Sequence, residues 1–281
     1  MRMPNHNPTR SSCGRLLFTL MKEGRRALFF SFFFFSSHIG AQTVRIAAAS
    51  DLQFALPDLA IQYEKQTGVK LAVTYGSSGN LFAQIQNGAP FDIFLSADVD
   101  YPHRLVVAQL ADVSSLKIYA VGQLILWLPP DSPLDPSMGL KILLDPRILK
   151  IAIANPEHAP YGRAAAAALH SAGVYGQVQP KLVFGENIAQ AAQFVQTGSA
   201  QAGLLAYSLT STPAMKFGKF WVVPADKYPA VEQAAILLSG SSSKQAATSF
   251  LAFLKTPMAR SALERHGFFL PPAAPASKHK L

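Results

Sequence analysis

The stretch VTYGSSGNLFAQIQNGAPFDIFLSAD, residues 73–98, carries the first reading of the fold. A strand-like run over residues 70–75 ends in Gly76, and the turn Gly76-Ser77-Ser78-Gly79-Asn80 comes at once after it. Residues 80–86 then read as a short helix closed by Gly88, and residues 91–95 as a buried strand. Strand, tight turn, helix and strand in succession form the crossover unit of a parallel sheet. The turn holds no charge, histidine or cysteine, so it can offer a ligand only neutral groups, among them backbone N–H groups and serine hydroxyls.

The same alternation extends in both directions. Upstream, residues 44–49 read as a buried strand and 52–66 as an amphipathic helix stopped by Gly68, with Pro57 tolerable only near its first turns. Downstream come a helix over 101–110 and a strand-rich region over 117–128. The second half repeats the style, with strands at 149–154, 181–184, 202–207, 220–223 and 234–238. Its helices are expected at 162–169, 187–196 (stopped by Gly198), 243–254 and 257–266. The pattern predicts an α/β protein whose mostly parallel sheets carry helices on both faces. The proline-rich segment 128–137 reads as a surface connection and residues 271–281 as a solvated, flexible tail.

The formal charge of +9 misleads. Residues 1–41 hold six basic residues (Arg2, Arg10, Arg15, Lys22, Arg25, Arg26) and one acid, Glu23. The remainder has 19 basic and 15 acidic residues, or +4. No basic stripe is interleaved with aromatics, which argues against nucleic acid as a partner. A basic stretch ending at Arg26, a phenylalanine-rich run over 27–35 and the small-residue end Gly40-Ala41 read as a secretory signal cut after Ala41. Cys13, the sole cysteine, precedes the apolar run, so neither a disulfide nor a lipid-anchor cysteine is expected afterwards. Export without an anchor points to the periplasm.

The functional signal lies at the strand ends. Four strand-to-helix turns are short and small or polar: AAASDLQFA at Ser50, YGSSGNLFA at Ser77 and Ser78, NPEHAPYGRAA at Tyr161, and FGENIAQAA at Asn187 and Ile188. Ligands of open α/β sheets sit at the carboxyl ends of strands. Helix N-termini there present unpaired N–H groups and partial positive charge, so several converging make an anion site without a cationic side chain. The competing reading is that Ser50 and Ser78 merely cap helices.

Enzyme motifs are sparse. The Ser241–Lys244 stretch SSSK matches S-x-x-K but lacks its S-D-N and K-T-G partners, and helix capping explains it better. No P-loop or G-x-G-x-x-G occurs, and His103, His158, His170, His266 and His279 show no metal spacing. A secreted hydrolase using Ser78 or Ser241 would need a histidine within hydrogen-bond reach of that serine.

The motifs AAASDL, YGSSGNL, GAPFDIFLSAD, NPEHAPYGRAA and YPAVEQAAILL together resemble the periplasmic molybdate-binding proteins of ABC transporters, over residues 44–270. The resemblance implies a two-lobed periplasmic binding protein of type II, each lobe a mostly parallel sheet flanked by helices, with the ligand cleft between the lobes. It implies lobe 1 from residues 42–120 and 232–270, and lobe 2 from 121–231. It also implies a non-enzymatic, monomeric protein without a cofactor that captures molybdate, and tungstate as well, for a membrane permease. Another oxyanion such as sulfate or thiosulfate is the alternative ligand. Carried over by position, Ser50 and Ser78 would contact the anion by hydroxyl and N–H, and Tyr161 and Ile188 by N–H. A tyrosine that many members place three residues after the glycine of the strand reading AGLLAYS is here Ala206, with Tyr207 one residue on, so Tyr161 is expected to donate in its place. Asp51 would repel a dianion and is expected to turn away, capping a helix or bonding a neighbouring loop.

Overall fold

The computed structural model describes residues 42–270. The expected export signal with Cys13 and the expected tail from Pro271 lie outside the described residues.

Among the described residues ten strands run in chain order: β1 (Thr43–Ala49), β2 (Lys70–Gly76), β3 (Ile93–Ser96), β4 (Lys117–Gly122), β5 (Leu124–Leu128), β6 (Ile151–Ala154), β7 (Leu182–Gly185), β8 (Ala202–Ala206), β9 (Lys219–Val222) and β10 (Val231–Leu237). Eight helices accompany them: α1 (Ala55–Thr67), α2 (Ser78–Gln86), α3 (Asp100–Val107), α4 (Pro160–Ser171), α5 (Tyr175–Val178), α6 (Ile188–Gln196), α7 (Lys244–Phe253) and α8 (Pro257–Arg265). The strands form two five-stranded sheets, ordered β2-β1-β3-β10-β4 and β7-β6-β8-β5-β9. In each sheet the first three strands are parallel, as the strand–helix alternation predicts. The other two are antiparallel additions: β10 pairs with β3 and β4, and β5 with β8 and β9. Each sheet is therefore mixed. The chain passes between sheets at Gln123, between β4 and β5, and again between β9 and β10.

Strand β1 shows why the first sheet is covered on both faces. Val44, Ile46 and Ala48 pack in one core with α1, α7 and α8, while Ala47 joins Leu81, Phe82, Phe94 and Leu105 beneath α2 and α3. A strand buried on both sides reads as a continuous apolar run, and IAAA does. The second sheet has its own core around Leu124–Leu128, Ile151–Ala154 and α4.

Gly68, Gly88 and Gly198 close α1, α2 and α6 with φ of 72°, 84° and 74°, the left-handed stops expected of them. The helix expected over 52–66 is divided. Residues Ser50–Leu52 form a 3-10 turn and α1 starts at Ala55, which places Pro57 in the first turn. An unbroken helix would drive the proline ring into the carbonyl of Gln53. The segment 128–137 is less superficial than expected: Leu134 and Pro136 are buried, and a 3-10 stretch, Pro136–Leu144, inserts Leu140 and Leu143 into the second core.

Candidate functional site

The parallel strands of both sheets end toward one another. The space between is lined by Ala49, Ser50 and Asp51 after β1, Gly76–Ser78 after β2, and Ala97 after β3. From the second sheet come Ala159, Pro160 and Tyr161 after β6 and Ile188 after β7. All four residues singled out in the sequence, Ser50, Ser78, Tyr161 and Ile188, thus border one cavity. It is narrow, with a volume of about 10 Å³, and among the described residues no lysine, arginine or histidine lines it. A wider groove lies away from it beside Trp127 and the Pro129–Pro133 segment, but the lone cation lining that groove, Arg147, is already paired with Asp145.

Local geometry makes the cavity a cluster of donors. The cap of α2 is Ser77, whose Oγ accepts from Asn80 N at 3.4 Å. Ser78 is the first helical residue and does not cap. Its Oγ accepts from Ala97 N at 2.9 Å, which leaves its own hydrogen to donate elsewhere. Asn187 caps α6, accepting from Ala189 N and Gln190 N at 3.0 and 3.1 Å, so it leaves Ile188 N alone. Among the described residues the backbone N–H groups of Ser78, Tyr161 and Ile188 have no acceptor. They are first-turn donors of three helices. Ser50 Oγ neither caps a helix nor bonds another described residue. Gly162 lets α4 begin this close to its strand, because a Cβ there would collide with the backbone carbonyl of Ala154.

Beneath the cavity lies a buried polar cluster. Asp51 is 1% exposed, and its Oδ2 accepts from Gln233 Nε2 of β10 at 2.7 Å. The expectation that it would cap a helix or bond a loop is corrected: its partner is a strand residue 182 positions away. Tyr161 Oη approaches the same carboxyl group without a hydrogen bond of normal geometry, and it and Asp51 Oδ1 are buried without a partner among the described residues. Burial pushes the Asp51 carboxyl up to about 7, against the lowering effect of Tyr161 and Gln233. Burial and the neighbouring Asp51 charge raise the Tyr161 phenol well above its ordinary range. The Tyr161 hydroxyl also packs on Gly122, where it fills the space a Cβ would need. Tyr207 does not line the cavity; it packs on Phe220, with ring centroids 5.3 Å apart.

Several bonds cross the cleft. Gly79 N donates to His158 O at 2.9 Å, and Asn80 Nδ2 to Glu186 Oε1. Arg163, on α4, reaches Asp98 and Tyr101. Ser208 Oγ donates to Asp51 O at 2.9 Å.

Among the described residues neither serine considered for hydrolysis has a histidine partner. Ser78 meets Ala97 N, and Ser241 Oγ donates to Asp92 Oδ1 at 2.8 Å. The capping explanation of SSSK is corrected too, since Ser243 stands at the start of α7 without a side-chain cap bond. Ser241 instead ties the loop to buried Asp92. Burial works to raise the Asp92 carboxyl, but bonds from Arg45 N–H, Ser241 and the Arg45 guanidinium hold it below its ordinary value.

Ala97 escaped sequence reasoning because alanine offers no side-chain chemistry. The available signal was its place directly after a buried strand, in LSAD, just as Ser50 and Ser77 come directly after theirs.

Residues 44–269 match the family described as bacterial extracellular solute-binding protein. The chain belongs to that family. Its members bind solutes and are not enzymes. Among curated relatives, the molybdate-binding protein ModA of Azotobacter vinelandii is 36% identical over 231 residues, 82% of this chain and 91% of that one. ModA of Rhodobacter capsulatus is 36% identical over 228 residues, 81% and 88% of the two chains. The solved structure of the Azotobacter vinelandii periplasmic molybdate-binding protein superposes with a TM-score of 0.77 at 33% identity, covering 81% of this chain and 99% of that one. The two-lobed periplasmic binding fold is shared with it. The sulfate-binding protein SubI of Mycobacterium tuberculosis shares the fold at 17% identity, with a TM-score of 0.66 over 81% of this chain and 86% of that one.

Proposed function

We propose that this chain is a periplasmic solute-binding protein that captures molybdate, and tungstate alongside it, and delivers the ion to an ABC permease. The observation that carries the reading is the small, cation-free cavity where unpaired N–H groups of Ser78, Tyr161 and Ile188 meet the hydroxyls of Ser50 and Ser78. Relatives at 36% identity that are named for molybdate support the same ligand.

Capture requires no bond-making. The dianion enters between the lobes, which are residues 42–120 with 232–270 and residues 121–231. Ser50 and Ser78 donate from lobe 1, and Tyr161 and Ile188 donate their N–H groups from lobe 2. Bonds from both lobes at once favour the closed arrangement, so differential affinity drives hinge closure. A hydrogen bond to a charged group contributes about 1.5–3 kcal/mol, and a handful reaches sub-micromolar affinity after the ordering cost.

Donors and size set the selectivity. The N–H groups of the cavity cannot accept from a protonated ligand, so partly protonated phosphate matches them less well than a fully ionised anion. Sulfate is fully ionised but smaller, and would lengthen every contact. Tungstate is nearly isosteric with molybdate and competes. In this reading residues 1–41 direct export and the protein acts as a monomer.

The test is elemental. Protein dialysed against molybdate with excess sulfate is expected to retain one molybdenum per chain. Retention of sulfur oxyanion and no molybdenum would sink the assignment.

A further inference from the structure

We infer that Arg163 is a positioning residue for capture: it latches the two walls of the oxyanion cavity together from outside and thereby sets how slowly the ion leaves. The inference rests on the oxyanion reading of the cavity.

Arg163 lies two residues beyond Tyr161 on α4, in the second lobe. Its guanidinium spans the cleft to the first lobe, with Nη2 2.5 Å from Asp98 Oδ2 and Nη1 donating to Tyr101 Oη at 3.2 Å. The cation also lies 5.5 Å from the Tyr101 ring centroid. Asp98 comes directly after Ala97, and Ala97 lines the cavity and holds Ser78 Oγ. The pair therefore joins the segment carrying the Tyr161 N–H to the segment anchoring the Ser78 hydroxyl. Arg163 itself does not border the cavity.

Two features make this contact an effective latch. It is the salt bridge that crosses between the sheets among the described residues; the others join groups of the same lobe or the lobe 1 helices α1 and α8. It is also partly shielded, with side-chain exposures of 37% for Arg163 and 23% for Asp98. A planar guanidinium that bonds a carboxylate and a phenol while facing an aromatic ring has a geometry that lysine cannot reproduce. These bonds exist only when the lobes are together, so they weight the closed state without touching the ion, and their loss shows in release rather than encounter. The neighbouring cleft bonds, Gly79 to His158 and Asn80 to Glu186, are neutral or solvent-facing and offer less.

The experiment is stopped-flow release and association of molybdate with the purified protein, read by intrinsic fluorescence. Arg163→Gln is expected to speed release about ten- to a hundred-fold, with association changed less than about threefold and the order of preference among oxyanions intact. Arg163→Lys recovers part of the loss. The exchanged pair Arg163→Asp with Asp98→Arg recovers release toward the original rate, which a merely structural role of Arg163 would not allow. Release of Arg163→Gln within about twofold of the original protein overturns the inference. So does a failure of the exchanged pair to improve on Arg163→Asp alone. Absence of molybdate binding by the unaltered protein refutes the oxyanion reading instead, and the two failures are distinct.

Discussion

Ser77 and Ser78 are neighbours of the same chemistry, and the fold gives them different work. Ser77 Oγ caps α2 through a long 3.4 Å bond, whereas Ser78 Oγ accepts from Ala97 N at 2.9 Å and keeps a hydrogen for the cavity. Ser78→Ala removes one donor to a dianion, worth about 1.5–3 kcal/mol, and should weaken molybdate binding about ten- to 150-fold. It also leaves Ala97 N–H without its acceptor, at a cost to the free protein of about 1 kcal/mol, or roughly 2–4 °C in melting temperature. Ser77→Ala removes a cap worth about 0.5–2 kcal/mol, and its long bond places it at the lower end. The ligand-free protein should lose similar stability in both variants, while affinity falls sharply in one alone. Calorimetric titration with thermal melts of the ligand-free proteins measures both quantities. Equal losses of affinity, or Ser78→Ala binding within about twofold of the original, would refute the assignment of Ser78 as donor.

Two further variants probe the cleft and the buried cluster beneath it. In Gly79→Ala a Cβ would fall 2.6 Å from His158 O across the cleft, so closure is obstructed, whereas its 2.7 Å approach to Tyr101 Oη lies within one lobe and is relieved by a shift of that side chain. Overpacking of this kind costs about 1–3 kcal/mol, which predicts binding weakened about five- to 150-fold with little change in ligand-free melting; undiminished affinity would refute it. Asp51 has a folded-state value of about 7 against roughly 4 when unfolded, so the native protein holds the extra proton between them. Stability should therefore fall as pH rises from about 4 to about 7, by at most about 4 kcal/mol, and level off above. Asp51→Asn should flatten that slope; parallel stability–pH curves for the two proteins would contradict it.

Much of the fold was legible because local rules and tertiary demands agree. Strands buried on both faces, such as IAAA and IFLS, announce themselves by composition, and glycines at left-handed positions mark where helices stop. The four turns stood out as candidates because each lies between an apolar run and a helical one. Pairing direction was not legible: β10 and β5 look like any other apolar strand, and only their neighbours make them antiparallel. Which serine caps α2 was hidden too, since helix starts shift by a residue without changing the pattern. The Asp51–Gln233–Tyr161 cluster gathers residues from three distant parts of the chain, and nothing local in SDL or VEQAA signals it. Arg163 and Asp98 are likewise ordinary surface charges until the lobes meet.

Whether a cage of neutral donors selects a large tetrahedral dianion is tested most directly by calorimetric titration of the purified protein with molybdate, tungstate, sulfate and phosphate. One site is predicted, with sub-micromolar affinity for molybdate and tungstate and far weaker binding of sulfate and phosphate. Tight binding of sulfate with none of molybdate would contradict it.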